Sequence, residues 1–122
     1  MELKINTYHF GLKFHLNEVK DLFDESPIKS DSTYLLFQLA DDSFVYIKNF
    51  GCAVFVNTPN EVQTTLIEDL NQKTADWVSS ETHRLLIDSE KEISVGFDYV
   101  TIPSFDIELI HIISLNLAQS SI

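Results

Sequence analysis

The side chains able to do acid–base, nucleophilic or metal chemistry are four histidines, one cysteine and a surplus of carboxylates. Histidines that share a metal on a helix recur one turn apart, and structural zinc sites bring cysteines in closely spaced pairs. His9, His15, His83 and His111 show no such spacing, and Cys52 has no ligand pattern beside it. On strands, His9 and His83 are expected to face solvent; His15 falls in a loop and His111 on a polar helix strip. A cysteine becomes a nucleophile next to a base in an electropositive setting. Cys52 instead sits among Gly51, Ala53 and Val54 on an apolar run, where a thiol behaves as a small hydrophobe.

Paired acids carry out acid–base chemistry where burial drives their pKa values apart. The candidates here are Asp21, Asp24 with Glu25, Asp41 with Asp42, Glu68 with Asp69, and Glu90 with Glu92. All fall in turns or on polar helix faces, where solvation is the default. Asp41-Asp42 lacks the alternating oxygen ligands of a calcium loop. There is no glycine-rich phosphate loop and no Gly-x-Ser-x-Gly elbow. No catalytic residue, metal or cofactor is expected.

The run Lys48-Asn49-Phe50-Gly51-Cys52-Ala53-Val54-Phe55 partly matches the RNA-recognition strand signature. Cys52 stands where an aromatic should stack on a base, and Asn49 stands where a glycine belongs. Nineteen acidic residues against eight basic ones give a formal charge of −11. That surface repels phosphate, because nucleic-acid affinity depends on Lys and Arg displacing condensed counterions. It equally disfavours an anionic membrane surface. Neither nucleic acid nor membrane is an expected partner.

The elements that position these groups follow from periodicity. Tyr8, Phe10, Leu12 and Phe14 alternate with polar positions, predicting a strand over 8–14. Asn17 is placed to cap a short helix with Val19, Leu22 and Phe23 inward, ended by Pro27. Strands are predicted over 34–39, 44–48 and 52–56, joined by turns at Asp41-Asp42 and Asn49-Phe50-Gly51. Thr58-Pro59-Asn60-Glu61 reads as a capping box opening a helix with Val62, Leu66 and Leu70 on one stripe, continued by Trp77. Strands over 82–88 and 95–102 and a helix over 105–121 complete the chain.

The order is that of an α+β domain: a ferredoxin-like antiparallel sheet with two packed helices, plus a C-terminal strand and helix. At 122 residues, the chain is read as one domain spanning 1–122. Hydrophobic residues make up 44% and nine are Phe, enough to build a core. A lone cysteine, no leader-like N-terminus and no long apolar run suggest a cytoplasmic protein.

The last helix is the most informative segment. Ile107, Leu109, Ile110, Ile112, Ile113, Leu115, Leu117 and Ala118 leave a narrow polar strip of Glu108, His111 and Gln119. A helix apolar around most of its circumference is buried on more than one side. Either the core supplies both sides, or the second side meets a protein partner or another copy of the chain. In the latter case Leu109, Ile112 and Leu115 are the expected anchors, with Ser114 and Gln119 supplying hydrogen bonds. The alternative is a regulatory domain that binds a small ligand near Asn57 and Thr58, where a helix N-terminus attracts anions.

Two segments carry a family resemblance. Phe44-Val45-Tyr46 through Phe50-Gly51-Cys52-Ala53-Val54-Phe55 resembles the aromatic strand, Gly turn and Val-Phe strand of the required-for-meiotic-nuclear-division family. Ser114-Leu115-Asn116-Leu117-Ala118-Gln119-Ser120 is similar to that family's Ser-x-x-Leu-Ala-Gln-Ser helix, and in layout the likeness covers residues 7–122. Members usually continue into a long helical region and often a membrane anchor, so this chain resembles a short or truncated member. The family has no assigned reaction and no catalytic residues to transfer. Its better-known members are linked to organelle assembly and to support of mitochondrial translation. The resemblance therefore implies a non-enzymatic scaffold.

Overall fold

The apolar runs of the chain's middle third are continuous rather than alternating: Phe44-Val45-Tyr46-Ile47 and Cys52-Ala53-Val54-Phe55-Val56 are buried at every position. That is the mark of strands covered on both faces. The computed structural model describes residues 2–10, 13–73, 77–96 and 98–120. Its elements are β1 (Glu2–Phe10), α1 (Leu16–Lys20), β2 (Lys29–Ser30), β3 (Tyr34–Ala40), β4 (Ser43–Lys48), β5 (Cys52–Val56), α2 (Asn60–Lys73), β6 (Trp77–Ile87), β7 (Ser94–Val95), β8 (Tyr99–Ile102) and α3 (Ile107–Ser120). The strands form one eight-stranded open sheet in the order β2-β3-β4-β5-β1-β6-β8-β7. Every pairing is antiparallel except β6 with β8. The protein is thus α+β, and its edge strands are two residues each, too short to template further pairing.

Register sorts the core into two layers. Phe44, Val56 and Ile5 stand in one cross-strand row and Tyr46 and Val54 in the next, all beneath Ile110, Ile113, Leu117 and Ala118 of α3. The alternate residues, Val45, Ile47, Ala53 and Phe55, point the other way and pack with Val19 of α1 and Leu66 and Leu70 of α2. Two helices therefore cover one face and α3 the other.

Several boundaries differ from expectation for local reasons. The first strand is Glu2–Phe10, not 8–14: it pairs with β6 from Glu2 onward, and its register shifts between His9 and Phe10. Phe14 still packs on Phe10, with ring centroids 5.3 Å apart, but from a loop tied by its amide to the Asn49 carbonyl. Leu12 lies outside the described residues. His15, not Asn17, occupies the α1 N-cap position, and it makes no side-chain cap. Thr58 forms no capping box: its hydroxyl turns back to the Phe44 and Val56 carbonyls at 3.2 and 3.4 Å. Trp77 begins β6 instead of continuing α2. At α3 the cap is Asp106, whose carboxylate accepts the Glu108 amide at 2.8 Å.

Candidate functional site

Helix α3 divides into three strips. Ile110, Ile113, Ser114, Leu117 and Ala118 recur at helical spacing and are fully buried against the sheet. Leu109 and Leu115, half-buried, pack on the margins of the same cluster. Ile112 stands outward, 52% exposed, with Ile107 also open at the first turn. His111 lies on the β3–β4 side, its ring 4.6 Å from that of Tyr34 and 5.5 Å from that of Tyr46. Lys29 pairs with Glu108, tying the helix to β2.

Of the five residues expected to meet a partner, the structure brings Leu109, Ile112 and Leu115 to one outward-looking arc. Ser114 belongs elsewhere. It is completely buried on the sheet side with its hydroxyl unpartnered, so it cannot hydrogen-bond a docked protein while α3 is seated. The side chain of Gln119 lies outside the described residues. Ile110, Ile113 and Leu117, unassigned in the sequence reading, do the anchoring to the sheet.

The groups expected to be solvent-facing on strands are not. His9 and His83 are both buried, on the side of β1 and β6 that α3 covers. Ile5, Thr7 and His9 alternate onto one face of β1, opposite Tyr8 and Phe10, and His83 pairs with Ile5; that face is covered by α3 and is not open to solvent. His9 also stands directly opposite Cys52 across the β1/β5 ladder. The pair does not make a nucleophile. Burial pushes the Cys52 thiol up to about 12, and burial holds the His9 imidazole below its ordinary value against the opposing pull of Glu81. Both groups are thereby driven to their neutral forms, the reverse of an activated thiolate–imidazolium couple. Among the described residues no three histidines, cysteines or carboxylates converge on a common point that could hold a metal. Cys52 and Phe55, central to the RNA-like strand, are fully buried on opposite faces and cannot stack on bases.

A polar cleft of about 600 Å3 opens where β1 and β6 pass the start of α2. Lys4 and Arg84 flank it, and Asn6, Asn57, Asn60 and Gln63 contribute amides. Gln63 is buried and fully engaged: it accepts from Asn6 at 2.9 Å and from Tyr8 at 3.4 Å, and donates to the Thr58 carbonyl at 2.7 Å. Asn57 adopts a left-handed backbone (φ 50°), a conformation asparagine tolerates better than most residues. Arg84 also lies 3.7 Å from the Asp98 carboxylate, both groups being largely exposed.

No protein-family model, curated protein or solved structure matches this chain. Among the described residues no helix is long and apolar enough to cross a membrane.

Proposed function

We propose that this domain is a non-enzymatic assembly module that associates through the outer arc of α3. The observation that carries the reading is Ile112, half exposed at the crest of a helix whose inner strip is already fully buried, and flanked by half-buried Leu109 and Leu115. The partner is a second copy of the chain. With a formal charge of −11, two copies repel over most of their surface. The arc of Leu109, Ile112, Leu115 and Asn116 is uncharged, and its bordering carboxylate, Glu108, is already paired with Lys29. An uncharged apolar strip that pairs with itself about a twofold axis is the simplest closed assembly.

Two further considerations support a scaffold. The segments that resemble the required-for-meiotic-nuclear-division family fall on β4–β5 and the last turns of α3, and they pack together through Phe44, Tyr46, Val54, Leu117 and Ala118. Those likenesses thus concern residues that build a core rather than a reacting centre. The four strands β6-β1-β5-β4, all antiparallel, with α1 and α2 on one face, follow the ferredoxin-like order, and we assign the central unit to that class.

Light scattering on a sizing column, across a concentration range of about tenfold, tests the reading. A dimer that Ile112→Asp converts to a folded monomer is the expected result. A monomer at every concentration sinks self-association. A second reading, a small anionic ligand in the Lys4–Arg84 cleft, is favoured by two basic side chains and several amides that line the same depression. Stabilisation by inorganic phosphate that Lys4→Gln removes would support that reading instead.

A further inference from the structure

The sheet face opposite α3 carries a second surface. Val62, Leu66 and Leu70 form one stripe of α2; the latter two are buried, yet Val62 remains 37% exposed. A groove runs beside the first turns of the helix. Helix α1 stops after five residues, and the segment 22–25 that follows forms the facing wall. Phe23 is fixed there by stacking on Phe37 of β3, with ring centroids 3.8 Å apart. Leu39 of β3 forms the floor and is shared by two adjoining hollows of about 320 and 550 Å3, which also share Glu25 and Val62. From Leu66 back to Pro59, just before α2, the groove follows seven steps of the chain, roughly 10 Å at the helical rise.

The charge of its rim is one-signed. Asp24 and Glu25 stand on one wall, Glu61 on the helix and Asp42 at the far end. Among the described residues no lysine or arginine lines either hollow. An apolar floor bordered by carboxylates is complementary to apolar side chains flanked by cations, and it disfavours phosphate-bearing partners. A metal ion is a poorer fit, since the acids are spread around the rim and no three of them converge.

We propose that this groove docks a short amphipathic segment of a partner protein, apolar where it meets Leu39 and Val62 and rich in Lys or Arg on either side. The apolar contacts give the binding its specificity for the groove, and the rim charges orient the segment and speed its arrival. This surface lies across the sheet from the α3 arc, so occupation of one leaves the other open. A domain that binds on both faces can bridge two proteins.

The test is fluorescence anisotropy with a labelled peptide of alternating Leu and Lys, with two controls: one in which Ser replaces each Leu, and one in which Glu replaces each Lys. The Leu/Lys peptide should bind, and both controls should bind at least about tenfold more weakly. Two variants locate the site, Val62→Asn for its apolar lining and Glu25→Lys with Glu61→Lys for the rim; each alters exposed side chains and should leave the protein folded. Each should weaken binding about fivefold or more, whereas Ile112→Asp on the other face should not. Equal affinity for the Ser-containing peptide would overturn the proposal, since attraction would then be charge alone. So would undiminished binding by Val62→Asn, or no binding of the Leu/Lys peptide at all.

Discussion

At the scale of single residues, the histidines record how burial tunes chemistry away from function. The His9 imidazole is held below its ordinary value of 6.5, first by burial and against the raising influence of Glu81. His111 is lowered too, by burial and then by Lys29, with Glu108 opposing. A histidine whose folded pKa is depressed binds its proton more readily when unfolded, so stability must rise with pH across the window. The contribution of the neutral ring is complete above about pH 6.5 and is lost as pH falls from there through the lowered folded value. Urea midpoints taken at about pH 7.5 and pH 5.5 should therefore fall on acidification, above the range where most carboxylates titrate. His9→Gln should flatten part of that slope whatever it does to stability at neutral pH; an unchanged slope would mean that His9 takes up its proton as readily in the folded state as in the unfolded one. The sequence could not assign these residues. Their types were plain, and the alternation rightly set His9 opposite Tyr8 and Phe10, but nothing in the local pattern showed that a helix covers that second face as well.

At the scale of elements, the same helix supplies both core and surface, and the two roles separate by position. Ile113 is 1% exposed and Ile112 52%, on adjacent positions of α3. Ile113→Ala should cost about 2–5 kcal/mol, because the sheet cannot collapse into the space left behind. Ile112→Ala should change stability by less than about 1 kcal/mol in the monomer. Thermal or urea unfolding of the two variants decides the matter; similar losses would mean that the outer arc is part of the core and α3 offers no surface. Much of this layer was readable beforehand. Aromatic and β-branched runs marked β4 and β5, and apolar periodicity placed a helix close to the bounds of α3, although only its inner strip is fully buried. What failed were the local signals. Thr58-Pro59-Asn60-Glu61 has the letters of a capping box, but a hydroxyl beside two strand carbonyls bonds them first. Trp77 fits the α2 stripe in sequence and is claimed by the β1 ladder, where it pairs with Phe10. Tertiary partners outweighed local preference in both cases. The groove between α2 and residues 22–25 had no signal of its own, since it exists because α1 ends early.

At the scale of the whole molecule, charge is the property that packing does not absorb. Acidic residues outnumber basic ones by nineteen to eight, and Asp24, Glu25, Asp42 and Glu61 are gathered around one groove. Unfolding moves these charges apart, so at low ionic strength their mutual repulsion works against the folded state. Salt shortens the reach of that repulsion, from a Debye length of about 30 Å at 0.01 M to about 8 Å at 0.15 M. Salt also weakens the ion pairs Lys29–Glu108 and Arg84–Asp98, but the former has an exposed carboxylate and the latter is exposed on both sides, so the loss is small. The repulsive sum should win, and the urea midpoint should rise between those two salt concentrations. Glu25→Lys with Glu61→Lys should raise the midpoint at low salt and shrink its salt dependence, because the variant removes like-charge crowding around the groove. The same substitutions should weaken a basic peptide in the groove. Opposite effects on stability and on binding would identify the acidic rim as a surface kept charged for a partner at a cost to the fold. If the midpoint falls with salt instead, the favourable pairs outweigh the repulsion, and the acidic excess is no burden for a partner to relieve.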